Sequence, residues 1–253
     1  MSTAGVIVSH GHAADVASLA PLLLEQVDEL VLVANIPGSV PGALPREVRV
    51  LENQAPRCLA ANVNAGVAAT TGALVVFANP DTRPAPGAVA SLAAFAESHP
   101  RCGLAGPRLE WPDGRWQPSR RRFPTVGGTL VRRTPLRLLR SLAGRQRTHY
   151  LLDEDVVEPV EADWLLGGFV LMRRAMLDEL GGWDAGYRHY VEDIDLAYRA
   201  RGAGWERWYV PEARVVHEWA AVIDRRFLTL HTLWHLRGMA RFVRKHPETL
   251  LRW

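Results

Sequence analysis

Short apolar runs alternate along the first hundred residues with stretches whose apolar positions recur every three or four residues. Gly5 to Ser9 (GVIVS), Leu30 to Ala34 (LVLVA), Val48 to Leu51 and Ala73 to Ala78 (ALVVFA) are rich in branched residues. Most of these runs lack a polar face, as strands covered on both sides must. Between them, Ala13 to Gln26, Ala60 to Ala69 and Pro86 to Ser98 carry helical spacing. The last has proline near its start, where a missing N–H is harmless. This alternation predicts a doubly wound, mostly parallel sheet with helices on both faces. Such a sheet binds ligands beyond the C-terminal ends of its strands.

The pattern then changes. Leu104 to Trp111 predicts a strand, closed by a Pro-Asp-Gly turn at Pro112 to Gly114. From there to Leu152 periodicity fades among Pro118, Pro124 and Pro135, which predicts a loop with a helical part, mobile without ligand. Order returns over Val160 to Arg173, then in helices at Arg174 to Leu180 and Asp193 to Arg201, the second closed by Gly202 and Gly204. Trp208 to Val210 and Val215 to His217 predict two short strands, and Phe227 to Lys245 a final helix.

Composition narrows the class. The chain has 253 residues, 48% of them hydrophobic, enough for one large α/β domain and its core. The longest central apolar run, Leu165 to Met172, is too short to span a bilayer. The start MSTAGVIVSH has no charged n-region, so no signal peptide is expected. Two cysteines make neither a disulfide scaffold nor a metal cluster, and a reducing, cytoplasmic location follows by default. Net charge is only +3, yet Gly114 to Leu152 holds ten arginines and no acid. A second basic stretch runs from Arg225 to Trp253. Arginine forks pair with phosphate, so phosphate-bearing partners fit. No nucleic-acid-binding motif accompanies the charge, and no nucleic acid is expected.

Three places carry candidate chemistry. Asn79-Pro80-Asp81 follows the strand Ala73 to Ala78, so Asp81 faces the expected crevice, where a carboxylate can hold a divalent cation against a diphosphate. On the tripeptide alone, a plain turn is the commoner use. Glu192 and Asp193 stand at a helix start, favourable for carboxylates whatever their use. Asp193, at the mouth of the crevice, is the better general-base candidate, and Asp195 reads as structural, paired with Arg199 one turn on. His217 ends a β-branched run and alone reads as a strand-end residue; beside Asp81 it would complete a carboxylate-plus-imidazole site for a metal such as Mn²⁺. His10, His12, His231 and His235 show no ligand spacing.

The order of these pieces resembles the family-2 glycosyltransferases of GT-A fold, most closely their bacterial rhamnosyltransferase-like branch. Val6-Ile7-Val8-Ser9-His10 resembles the first strand, Asn62-Val63-Asn64-Ala65-Gly66 the N-x-G helix segment, and Phe77 to Thr82 a variant of the DXD motif. Trp164 to Phe169, Arg173-Arg174, Leu180 to Asp184, the E-D-x-D-L-x-x-R stretch from Glu192, Tyr209 to Ala213, and His217 follow in order. The resemblance covers residues 5 to 245. It implies a GT-A fold: a single α/β domain, Rossmann-like, with a nucleotide-sugar-binding half at 1–110, an arginine-rich segment at 111–158, an acceptor-binding and catalytic half at 159–222 and a C-terminal helix at 223–253.

The resemblance also implies roles. Asp193 is the catalytic base. Val8, Ser9, Asn35, Asn64, Asn79 and Asp81 bind the donor. Trp164, Gly167, Gly168, Glu192, Arg120 and Arg121 bind the acceptor. Asp81 and His217 hold a divalent cation, Mg²⁺ or Mn²⁺. The donor implied is a nucleotide-diphosphate sugar, dTDP-rhamnose, and the acceptor a glycan, lipid-linked or small molecule. The basic segments then face a membrane surface, its cytoplasmic side, as a peripheral contact. The chain departs from the pattern at Ala34-Asn35, where Asp-Asn is usual, and at Cys58-Leu59, where Gly-Phe is usual. Two other readings compete. A non-catalytic sugar-nucleotide or glycan-binding module would not require Asp81, Asp193 and His217 together. A nucleotidyltransferase would need a Gly-rich basic loop after the first strand, which Ser9-His10-Gly11-His12 does not supply.

Overall fold

A computed structural model describes residues 1–125, 155–218 and 229–251. Strands β1 (Thr3–Ser9), β2 (Glu29–Ala34), β3 (Val48–Glu52) and β4 (Leu74–Ala78) alternate with helices α1 (Ala13–Leu24) and α2 (Leu59–Ala68). Then follow β5 (Thr82–Pro84), α3 (Ala88–Ser98), β6 (Cys102–Glu110), β7 (Trp116–Gln117) and β8 (Arg120–Arg121). Beyond residue 155 come β9 (Val160–Glu161), β10 (Trp164–Leu165), β11 (Phe169–Arg173), α4 (Arg174–Leu180), α5 (Glu192–Gly202), β12 (Glu206–His217) and α6 (Leu230–Lys245).

The main sheet runs β3-β2-β1-β4-β11-β6-β12-β5. Its first four strands are parallel. β11 breaks the expected direction: it lies antiparallel between β4 and β6. β12 then runs parallel to β6 and antiparallel to β5. Successive residues point to opposite faces, so each apolar run feeds two cores. Val6, Val8, Val31, Val33, Val75 and Phe77 pack with residues of α2 and α5. Ile7, Leu30, Leu32, Leu74 and Val76 pack with residues of α1 and α3. α2 seats closely because Gly66 has no side chain; a Cβ there would stand 2.3 Å from Val6 Cγ1.

Two further expectations are corrected. Trp208 to Val210 and Val215 to His217 belong to one strand, β12, whose register against β6 shifts between Val210 and Arg214. The irregularity accommodates Pro211, which has no N–H to give. The last helix begins at Leu230, after its cap Thr229, whose hydroxyl accepts the Thr232 N–H; Phe227 lies outside the described residues. So does most of the arginine-rich segment, residues 126–154, and with it the loop expected there. Among the described residues no helix is long and apolar enough to cross a membrane.

The C-terminal half is held by one carboxylate. Asp195 is fully buried. It accepts from Arg199 Nε at 2.7 Å, Lys245 Nζ at 2.9 Å, His246 Nε2 at 2.9 Å and the Tyr187 hydroxyl at 3.1 Å. Arg199 also donates to the carbonyls of Leu180 and Gly182. The i,i+4 pair read from the sequence therefore exists and extends to α6. Burial alone would raise the Asp195 pKa, but the hydrogen bonds from Lys245, His246 and Arg199 outweigh it and hold the carboxyl below its usual range. A lowered carboxyl favours the folded state above the unfolded pKa, near 4, and that contribution vanishes as pH falls through the lowered value. Asp195→Asn is expected to lose about 3–5 kcal/mol, as when one partner of a buried pair is removed. It is also expected to flatten the acid limb of stability. Urea unfolding at pH 7, 4 and 2 checks both; an unchanged midpoint at pH 7 would refute the assignment.

Candidate active site

The end of β4 and the end of β12 meet at one edge of the sheet. Antiparallel pairing sets His217 opposite Thr82, and the Glu218 N–H donates to the Asp81 carbonyl at 2.9 Å. This brings His217 Nε2 to 3.6 Å from Asp81 Oδ1. The imidazole is buried, whereas the Asp81 side chain keeps 35% of its surface open. Gln117, on the short strand β7, offers its Oε1 at 2.8 Å to His217 Nδ1. With this carbonyl oxygen as the acceptor, Nδ1 carries the proton and Nε2 faces Asp81. Burial lowers the His217 pKa more than the Asp81 charge raises it, which keeps the ring neutral.

Gly167 and Gly168 form the other wall. A Cβ on Gly168 would stand 3.0 Å from His217 Cε1, and one on Gly167 would stand 3.2 Å from Asp193 Oδ2. The Gly168 carbonyl accepts the Asn79 N–H at 2.8 Å, which ties the turn to β4. The Gly167 N–H donates to Asp193 Oδ2 at 3.2 Å, and the Ile194 N–H to Oδ1 at 2.9 Å. The glycine pair thus separates Asp193 from the Asp81–His217 pair by little more than its own backbone. Side chains here would fill the gap.

Glu192 and Asp193 open α5 and differ sharply. Glu192 is buried, and its Oε2 has no hydrogen-bond partner among the described residues. Burial, and then the charge of Asp193, push its pKa up. Asp193 is only half-buried. Burial raises its pKa too, against the Ile194 and Gly167 N–H groups and the nearby Arg121, which lower it. Asp193 therefore ionises first, and Glu192 holds its proton at neutral pH. The preceding residues, Tyr190 and Val191, lie at φ 70° and 75°. Left-handed backbone in non-glycine residues costs roughly 1–3 kcal/mol each.

The other expected residues are placed as follows. Val8 and Ser9 end β1, and Ser9 Oγ accepts the His12 N–H. Asn35 follows β2; its amide bonds the Arg57 N–H and carbonyl, Asn53 and His10 at 2.7–3.0 Å. Asn64, on α2, grips the Trp183 backbone through both its N–H and its carbonyl. Trp164 is buried, donates to the Arg122 carbonyl and lies 5.8 Å from the Arg121 guanidinium carbon. Arg120 and Arg121 are buried in β8, paired with Leu165 and Trp164. Asp81, His217, Gly167, Gly168, Asp193, Trp164 and Arg121 thus form one neighbourhood; Asn64 bonds a different wall. Sequence reasoning missed Gln117, whose signal, a polar residue on the return strand of a Pro-Asp-Gly turn, is too faint alone. It also missed the Tyr190–Val191 turn, which has no glycine to mark it.

Among the described residues no group of three or more His, Cys, Asp or Glu could hold a metal by itself. Asp81 and His217 nevertheless suit one: a hard carboxylate and a neutral imidazole whose far nitrogen is fixed by Gln117. Two protein donors leave positions for diphosphate oxygens and water, as Mg²⁺ sites on nucleotides commonly do.

Comparison with known proteins bears on the family and the fold. The profile described as "Glycosyltransferase like family 2" matches residues 24–227. The N-acetylglucosaminyl-diphospho-decaprenol L-rhamnosyltransferase of Mycobacterium tuberculosis is 37% identical over 145 residues, 56% of this chain and 46% of that protein. The rhamnosyltransferase WbbL of Escherichia coli is 34% identical over 90 residues, 36% of this chain and 34% of that one. The chain thus spans less than half the length of these relatives. Among solved structures, GalNAc-T7 with UDP, GalNAc and Mn²⁺ aligns at TM-score 0.66 and 16% identity, over 96% of this chain and 48% of its own. The mannosyltransferase PcManGT of Pyrobaculum calidifontis, with GDP-Man and Mn²⁺, aligns at 0.53 and 14%, over 98% and 71%. At such identities the structural likeness speaks for the fold. Matched by the family profile over most of its length, and carrying the family's motifs in order on this sheet, the chain belongs to glycosyltransferase family 2, with rhamnosyltransferases among its relatives and the GT-A fold.

Proposed function

We propose that this chain is an inverting glycosyltransferase that moves L-rhamnose from dTDP-rhamnose to a hydroxyl of a lipid-diphosphate-linked sugar. The observation that carries the reading is the Gly167–Gly168 turn, with a carboxylate on one side and the Asp81–His217 pair on the other. The two rhamnosyltransferase relatives support the sugar, and the Mycobacterium tuberculosis one, which acts on N-acetylglucosaminyl-diphospho-decaprenol, supports the class of acceptor.

The geometry supports the following roles. Asp81 and His217 would hold a divalent cation at the donor's diphosphate. When bound, such a cation neutralises the negative charge that develops on the leaving oxygens. Asp193 accepts the acceptor's hydroxyl proton while that oxygen bonds to the anomeric carbon and the bond to the diphosphate breaks. One displacement from the opposite face inverts the configuration, without a covalent sugar intermediate. Glu192, protonated, adds no second charge to repel the leaving diphosphate. Arg121, in β8 against Trp164, sets a positive charge near Asp193 and favours its ionised form.

Asp193→Asn keeps the shape and removes the basicity, so transfer should fall by about 10²-fold or more while donor affinity holds. In the parent protein, kcat/KM should drop on acidification at a pH above the ordinary aspartate value near 3.9, because the Asp193 carboxyl is raised. Near-normal transfer by the purified variant would refute the role. Donor binding should need the cation: calorimetry with dTDP-rhamnose is expected to show weaker binding in EDTA and in Asp81→Ala, and equal affinity throughout would leave Asp81 a turn residue. Binding without transfer to any acceptor, in a panel of dTDP-, UDP- and GDP-sugars, would favour the binding-module reading.

The exposed face of α6 carries Leu230, Leu233 and Leu236 together with Arg237 and Arg244. This pattern fits the surface of a membrane holding a lipid-linked acceptor. Each arginine at an anionic surface is worth about 1 kcal/mol, screened by salt. Flotation with anionic liposomes at low salt, lost at high salt and in Arg237→Glu/Arg244→Glu, is the expected result. No flotation at low salt would point to an acceptor in solution.

A further inference from the structure

The turn before the Glu192–Asp193 pair is held from outside the crevice. Val191 is the residue that leads into α5, yet it has a buried, β-branched side chain and a left-handed backbone, and it offers no side-chain cap. A β-branched residue adopts this conformation only where its surroundings impose it. The element lying on it is α6. A Cβ on Gly238 would stand 3.0 Å from Val191 Cγ2 and 3.1 Å from the Tyr190 carbonyl oxygen, so the α6 backbone itself presses on the turn. Two turns earlier on the same helix, His231 Nδ1 lies 3.0 Å from the Tyr190 hydroxyl. The other end of α6 is pinned: Arg241 and Lys245 reach Asp184, and Lys245 and His246 reach Asp195.

We infer that Gly238 and Val191 are positioning residues: close packing of α6 through Gly238 keeps Tyr190 and Val191 left-handed, and this turn aims the Asp193 carboxylate at the crevice. The inference rests on Asp193 as the base. It runs against helix propensity, by which alanine at an interior helix position is favoured over glycine. Propensity alone therefore makes Gly238→Ala harmless or stabilising, whereas the contact makes it shift the turn.

The test uses the full chain with dTDP-L-rhamnose, Mn²⁺ and an N-acetylglucosaminyl-diphospho-polyprenol. Gly238→Ala is expected to lower kcat by about ten-fold, with donor affinity by calorimetry unchanged within about two-fold. Adding Val191→Gly removes the side chain that the new methyl meets and makes the left-handed turn free of a Cβ. The double variant should recover to within about three-fold of Val191→Gly alone. Tyr190→Phe, a milder change that removes only the hydroxyl facing His231, should lower kcat by about three-fold at constant donor affinity and serves where Gly238→Ala does not fold. Unchanged kcat in the folded variants, donor affinity falling in step with kcat, or no rescue in the double variant overturns the inference. An Asp193→Asn enzyme that still turns over removes the base and this inference together; an inactive Asp193→Asn beside a fully active Gly238→Ala removes this inference alone.

Discussion

The buried carboxylate of Asp195 is the fixed point of the C-terminal half. A charge with no solvent exposure is tolerable only with partners on every side, and here they come from α5 itself, from Tyr187 and from the end of α6. The requirement is geometric as well as electrostatic. To satisfy Asp195, the last turn of α6 must lie against α5, and Arg199 must reach back to the carbonyls that close α4. Once those elements are locked, the first turn of α5 has one orientation relative to the sheet.

That first turn shows how position alone gives three acids three characters. Glu192 is sealed in the core without a hydrogen bond to Oε2, Asp193 is half-open with two backbone donors, and Asp195 is saturated by cations. Burial raises all three, and what differs is what opposes it: backbone hydrogen bonds alone for Glu192, where the Asp193 charge adds to burial; backbone N–H groups and Arg121 for Asp193; and side-chain hydrogen bonds from Lys245, His246 and Arg199 for Asp195. The same residue type three times over would give a neutral group, a titrating group and a permanent anion. Across the glycine turn, the complementary pair is assembled by sheet pairing, with Gln117 choosing the tautomer of His217.

The parts legible in the sequence were those decided locally. The runs in β1, β2 and β4, the glycine turn after α5 and the Asp195–Arg199 spacing all follow from neighbours within one element. The direction of β11 did not follow, because Phe169-Val170-Leu171-Met172 reads the same whether its partners are parallel or antiparallel. Nor did the unity of β12, since a bulge at Pro211 looks in sequence like a break. The juxtaposition of Asp81 with His217 could be expected only from the order of family motifs; nothing in either residue's neighbours reports a partner more than a hundred positions away. Lys245 and His246 are likewise invisible as partners of Asp195. Arg120 and Arg121 looked like loop cations because a charged run ordinarily faces water, and in the fold they are strand residues covered by other chain segments.

The threading of the sheet has a consequence for the order in which the molecule can be made. Among the described residues β12 is the last strand, but in the sheet it lies between β6 and β5, both formed from residues before position 111. A nascent chain that has emerged only as far as Val210 therefore has a finished parallel half, with β5 still lacking its antiparallel partner and no imidazole beside Asp81. Closing that edge requires contacts across more than a hundred residues, the slow kind in folding. Until then Asp81 has no imidazole beside it, so the Asp81–His217 pair is complete only once the chain has emerged through His217.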